Sequence, residues 1–237
     1  MEVPIVRLVL ENSVMSRPDW SLAANGTFTP GIHLVSGDVG SGKSTLALLM
    51  AGLAAPRRGA VIREGIGPAM LSFQFPEFHV TGLSVADECR SWGLEPGPVL
   101  VSAGLDLSMD RPALSLSRGE LKRLHLACLL SREYDLLLLD EPFSSLDCPG
   151  KEWAAREIGK RSRGITVVFT HEQCIIPHTD HIWEIQDGAL VDCGGMPGAL
   201  RAWEHAPALI RRLVMEGTVP DDLTQDAIME AACRTRE

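Results

Sequence analysis

Residues 37–44 read Gly-Asp-Val-Gly-Ser-Gly-Lys-Ser, a glycine-rich stretch closed by a lysine and set between two apolar runs. Before it, Gly-Ile-His-Leu-Val-Ser (residues 31–36) is short, β-rich and bounded by Pro30, the pattern of a buried strand. After it, from Ser44, Thr-Leu-Ala-Leu-Leu-Met-Ala-Gly-Leu-Ala is a run of helix formers expected to continue to a stop at Pro56. The order strand, G-x-x-x-x-G-K-[ST], helix is restrictive, because a glycine-rich surface turn needs neither neighbour. Glycines let successive N–H groups turn inward toward phosphate oxygens, and the following helix aims its positive end at the same point. Residues Gly37, Asp38, Val39, Gly40, Ser41, Gly42, Lys43, Ser44 and Thr45 are therefore expected to hold a nucleoside triphosphate, ATP in the first instance. Lys43 would face the β- and γ-phosphates, and the Ser44 hydroxyl would face Mg²⁺.

A second stretch narrows the chemistry. Asp135 is followed by four leucines, then Asp140, Glu141 and Pro142. Four consecutive leucines suit a central parallel strand covered on both faces. At the end of that strand Asp140 can join the Mg²⁺ shell, and Glu141 can take a proton from an attacking water.

Composition sets limits on the rest. The net charge is −9 over 237 residues, which argues against phosphate-backbone or anionic-lipid binding as the main task. No apolar run approaches the roughly 18 residues a membrane helix requires. The start, MEVPIVRLVLE, lacks a basic region and a cleavage site, so no signal peptide is expected. Six scattered cysteines without a CxxC pair suggest reduced thiols and a cytoplasmic setting. Cys174, His178 and His181 have spacings a metal could tolerate, but no fourth ligand lies near them in sequence, so no metal site is expected there.

Leu116-Ser117-Arg118-Gly119-Glu120 opens an amphipathic stretch, with Ser117 and Glu120 spaced as a capping box. The same five residues resemble the LSGGQ signature of ABC-type ATPases, with Arg118 and Glu120 departing from its glycine and glutamine. Phe73-Gln74-Phe75-Pro76-Glu77 resembles the family's Q-loop, Ser145-Leu146-Asp147 its D-loop, and the strand ending at His171 its switch-histidine segment. The resemblance runs from about residue 5 to 193. It implies an α/β P-loop NTPase of ABC ATPase type: a mostly parallel sheet with an antiparallel β-subdomain, and an inserted helical subdomain near residues 76–130. It implies catalytic roles for Glu141, His171 and Lys43, and Mg²⁺ ligation by Ser44, Gln74 and Asp140. Ser117, Arg118, Gly119, Glu120 and Asp147 would act in trans, on ATP held by a second ABC subunit, identical or paralogous. The family stacks an aromatic side chain on adenine; here Arg17 and Trp20 are the candidates, since a guanidinium plane can also stack.

The tail, residues 196–237 beyond a nucleotide-binding domain of residues 1–195, reads as a helical extension. Leu209, Ile210, Leu213 and Val214 fall on one helical face, and Thr224 can cap a last helix. With FQFPE, this tail is similar to that of ATPase subunits of energy-coupling-factor importers of vitamins, cobalt or nickel. That implies a peripheral subunit on the cytoplasmic face, bound to a transmembrane scaffold and its substrate-capture protein. Phe75, Phe78 and Val80 would line the groove that receives the scaffold. The competing expectation is a soluble ABC ATPase acting on nucleic acid. Its repair and translation relatives carry long coiled coils or two fused domains, whereas this chain has no heptad run, one P-loop and an acidic balance.

Overall fold

The computed structural model describes residues 6–234, so the start of the stretch MEVPIVRLVLE lies outside the described residues. Three antiparallel strands come early: β1 (Arg7–Arg17), β2 (Trp20–Phe28) and, after the first helix, β4 (Arg58–Glu64). Between them lie β3 (Gly31–Ser36) and α1 (Lys43–Ala51). Next follow β5 (Ala69–Ser72), a 3₁₀ turn at Pro76–His79, α2 (Val85–Ser91), α3 (Pro96–Ala103) and α4 (Arg118–Leu130). The second half alternates β6 (Leu136–Asp140), α5 (Cys148–Gly159), β7 (Ile165–Phe169), and the hairpin β8 (His181–Gln186) and β9 (Ala189–Gly195). Two helices end the chain, α6 (Ala208–Met215) and α7 (Gln225–Arg234).

Among the described residues, all nine strands join one sheet in the order β4-β1-β2-β9-β8-β3-β7-β6-β5. Strands β5, β6, β7, β3 and β8 run parallel, and the antiparallel strands attach through a single parallel pairing of Ala23 with Ala189. The expected α/β class, mostly parallel with an antiparallel part, is what the chain adopts. The four leucines of β6 explain how the sheet is covered. Leu137 and Leu139 point into a core with α2 to α5, while Leu136 and Leu138 point into another with α1, β1 and β2. Burying each such side chain contributes roughly 2 kcal/mol, so a polar substitution at any of the four would be felt on one face or the other.

Helix α1 is shorter than its apolar run. Gly52 takes a left-handed conformation at φ 79° and its N–H caps the carbonyls of Leu48 and Leu49. The helix therefore stops at Ala51, five residues before the proline expected to end it, because a left-handed glycine closes a helix without a Cβ clash. Pro96 likewise opens α3 at its first turn, where its missing N–H costs nothing. In the tail, Ile210 and Leu213 are buried and Val214 is half-buried against the same core, but Leu209 is exposed. The apolar stripe of α6 is therefore narrower than its sequence suggests. Residues 218–224 lead into α7, anchored where Asp222 accepts from His178 Nδ1 at 2.7 Å and from the Thr179 amide at 3.1 Å. Among the described residues, no helix is long and apolar enough to cross a membrane.

Candidate active site

Because β3, β5, β6 and β7 are parallel, the segments that follow them emerge at one edge of the sheet, where open α/β sheets bind ligands. The glycine-rich loop follows β3, Gln74 follows β5, Glu141 follows β6 and His171 follows β7. One open cleft of about 370 Å³ is lined by Arg17, Trp20, Val39, Gly40, Gly42, Lys43, Ser44, Thr45, Gln74, Glu141 and His171. Gly37, Asp38 and Ser41 complete the loop; of these, Asp38 and Ser41 face an adjoining cleft.

Gly42 sits at φ 111°, and a Cβ there would lie 2.5 Å from the Trp20 ring. The loop's last glycine thus gives both the left-handed turn and room for the indole of the β1–β2 hairpin. Lys43 is buried, its Nζ donating to the Gly37 carbonyl at 2.7 Å and the Asp38 carbonyl at 3.0 Å, with Glu141 Oε1 at 3.7 Å. Burial pulls its ammonium below the ordinary lysine value, against the attraction of Glu141 and Asp140. Asp140, at the end of β6, is pushed the other way: burial raises its carboxyl, while a hydrogen bond from Ser44 opposes the rise.

Glu141 stands at φ 48°, a left-handed backbone for a non-glycine residue that typically costs about 1 kcal/mol or more. Several partners hold it there. Its amide donates to the Phe169 carbonyl at 2.8 Å, Thr170 Oγ1 donates to Oε2 at 3.1 Å, and His171 Nδ1 meets Oε1 at 2.7 Å. With Glu141 ionised, His171 Nδ1 is the donor. The carboxylate is thus oriented from both oxygens, with the Lys43 ammonium 3.7 Å from Oε1.

Asp140 Oδ1 is buried and has no hydrogen-bond partner among the described residues. A buried oxygen without a donor suits a cation. Beside it are the Ser44 hydroxyl and, across the cleft, the Gln74 side chain, an all-oxygen set of the kind Mg²⁺ takes.

The remaining sequence candidates lie outside this cleft. Ser117 caps α4 in a full capping box with Glu120: Glu120 N donates to Ser117 Oγ at 3.3 Å, and Ser117 N donates to Glu120 Oε2 at 2.8 Å. Such a box stabilises a helix by about 1 kcal/mol. Ser117 and Arg118 are exposed, and Arg118 lies 3.8 Å from Glu77. A Cβ on Gly119 would stand 3.0 Å from the Ser145 carbonyl, so this glycine lets the turn of residues 145–147 pack against the start of α4. Asp147 caps α5 through Gly150 N at 2.9 Å. Within one chain, then, these residues form a second, exposed cluster.

The fold and the cleft agree with what comparison of the whole chain gives. The ABC transporter family profile matches residues 25–144. The chain belongs to the ABC transporter family. This ABC protein is an ATP hydrolase and the ATP-binding component of an ATP-driven transporter. It is 32% identical over 233 residues to the energy-coupling factor transporter ATP-binding protein EcfA2 of Thermotoga maritima, covering 85% of this chain and 86% of that one. It is 30% identical over 195 residues to EcfA1 of the same organism, covering 72% and 74%. Its fold matches cbiO1 of Clostridium perfringens, described as part of the ABC transporter complex cbiONQ, with a TM-score of 0.64 at 23% identity, covering 89% of this chain and 95% of that one.

Sequence reading of this ABC ATPase missed three polar residues near the site. Thr170 orients Glu141 from a position next to His171, and nothing in the spacing marked it. Glu172 accepts from Lys151 of α5 and from the amides of Gln173 and Cys174, tying the segment after His171 to the helix that Asp147 caps. Lys122 is fully buried in α4. Its signal was present: Lys122, His125, Leu126 and Leu129 share one helical stripe.

Proposed function

We propose that this chain powers solute import through an energy-coupling-factor transporter, as one of two ATPase subunits closing on two ATP molecules. The observation that carries the reading is the division of its motif residues into two sites. Lys43, Ser44, Glu141, His171 and Gln74 converge in one cleft, while exposed Ser117, Arg118 and Asp147, with half-buried Gly119 and Glu120, lie away from it. A helix N-terminus presenting serine and glycine can receive an anion, and the chain's own phosphate loop is elsewhere. A second subunit's nucleotide fits that surface.

In this reading the loop amides of residues 38–45 and Lys43 bind the phosphates, and Arg17 and Trp20 flank the base. Ser44, Asp140 and Gln74 hold Mg²⁺, which when bound neutralises charge on the phosphate oxygens. Glu141 accepts the proton of the attacking water. His171 and Thr170 fix the carboxylate so that one face points into the cleft, and closure of the second subunit excludes bulk water. Residues 1–195 make the nucleotide-binding domain and 196–237 a helical extension. The exposed Phe75 and Phe78, with half-buried Val80 beside them, offer a surface for a membrane subunit. Similarity to the Thermotoga ATP-binding proteins along most of the chain supports the importer assignment.

Purifying the tagged chain from its native membranes, with identification of bound integral subunits, tests the proposal. A transmembrane scaffold with a substrate-capture protein is expected, and solute uptake should disappear on Glu141→Gln. Isolation of a stoichiometric nucleic-acid complex without membrane subunits would overturn it.

A further inference from the structure

Lys122, near the middle of α4, is wholly enclosed at 0% exposure. An ammonium removed from water is strongly disfavoured unless its donors are used and opposite charge stands near. Its Nζ donates to the Gln74 carbonyl at 2.9 Å and reaches the Phe73 carbonyl at 3.5 Å. Asp140, Glu141 and Glu77 supply the opposite charge, holding the ammonium at about 8 against burial, which drives it down. Ser144, in the turn just after the acidic pair, also reaches the Gln74 carbonyl, at 3.4 Å.

The grip extends one helical turn further. His125 is buried, its Nε2 is 3.0 Å from Ser72 Oγ, and its ring stacks on His79 with centroids 4.4 Å apart. His79 Nε2 in turn accepts the Phe73 amide at 2.9 Å. The backbone of residues 73–74 is thus held by Lys122 of α4, Ser144 and His79, and His125, also of α4, holds the neighbouring Ser72 hydroxyl. That same helix begins at Ser117. A space-filling role here would be met by methionine without the cost of desolvating a charge. What lysine adds is an N–H for the carbonyl of Gln74.

We propose that Lys122 is a positioning residue that locks the segment carrying Gln74 to the helix carrying Ser117, so that a shift at one is transmitted to the other. The lock would couple a subunit's own nucleotide cleft to the surface it presents to its partner. Its functional meaning rests on the roles of Gln74 and Ser117 proposed above; its existence does not.

Hydrogen exchange on the nucleotide-free full chain tests the lock directly. In Lys122→Met, amides of residues 73–78 should exchange about tenfold faster or more, with β6 and β7 unchanged and melting within about 5 °C of the parent. Lys122→Gln keeps a donor for the Gln74 carbonyl and should stay within about threefold of the parent rate. In ATPase assays Lys122→Met should lower kcat by about tenfold with little change in KM for ATP, and Lys122→Gln should recover most of it. Parent-like exchange at residues 73–78 in Lys122→Met would refute the proposal. So would equal acceleration through α4, β6 and β7, or failure of both variants to fold, since Lys122 would then be an ordinary core residue. Local acceleration together with a Gln74→Ala variant of unaltered Mg²⁺ dependence would uphold the lock and overturn the role given to Gln74.

Discussion

Glu141 is the most tightly oriented carboxylate of the cleft in the proposed mechanism. A left-handed backbone, a hydrogen bond from Thr170 and another from His171 together fix a carboxylate that solvent alone would leave free. Glu141→Gln keeps the shape and removes the proposed proton acceptor. ATP binding should persist while turnover falls by roughly 10²–10⁴-fold, measurable by nucleotide-binding and single-turnover assays. Near-parent hydrolysis would mean that another group takes the proton. Thr170→Val is a milder test, because it deletes one orienting donor and preserves volume. Its turnover should fall by about tenfold with ATP affinity unchanged, the loss expected for one hydrogen bond to a charged group. Equal losses in affinity and turnover would instead make Thr170 part of the binding surface.

Helix α1 turns its N-terminus toward the chain's own cleft, whereas that of α4 opens on an exposed surface away from it. Element α4 is capped internally by Ser117 and Glu120, and its first turn packs on the Ser145 carbonyl beside Asp147. If that turn serves a second subunit, defects should complement across chains. Ser117→Arg and Lys43→Ala should each abolish activity alone, since each spoils both sites of a like pair. Mixed, they place both lesions in one composite site and leave the other whole, so roughly a quarter to a half of the parent activity per mixed dimer should return. Cross-linked mixed dimers as inactive as either variant would count against Ser117 acting in trans.

At the scale of the whole molecule, the burial of His33 predicts a response to acid. His33 lies in the centre of the sheet, with Trp183 Nε1 donating to its Nδ1 at 3.2 Å and its Nε2 lying 2.7 Å from the Thr29 carbonyl. That pair of contacts fits the neutral ring protonated at Nε2. Burial pulls its value from 6.5 to about 4; the Thr29 carbonyl opposes this, nearby His181 adds to it, and Asp180 and Asp192 oppose it weakly. The unfolded chain therefore binds a proton that the native chain refuses between those limits. Stability is lost as pH falls from about 6.5 through 4, since the unfolded state is then the better proton acceptor. Thermal unfolding followed across that range should steepen with acid in the parent and flatten in His33→Gln. An identical slope in both proteins would assign the acid response to other groups.

Local chemistry in the sequence determined much of this. The glycine spacing of residues 37–44, the four leucines before Asp140 and the capping pair Ser117–Glu120 depend on neighbours a few positions apart, so a linear reading reaches them. The α/β class was what the resemblance of these motifs to those of ABC-type ATPases implied. What tertiary structure decided is whatever depends on distant segments meeting. Gly52, not Pro56, ended α1, because a glycine's left-handed turn outcompetes a later proline. Leu209 faced water although its spacing put it on the apolar stripe, because the core reaches only as far as Ile210 and Leu213. Thr170 found Glu141 across 29 residues, and Lys122 found the Gln74 carbonyl across 48. Periodicity records which face of a helix is covered. It cannot record which carbonyl covers it, since that partner is chosen only when the strands have aligned.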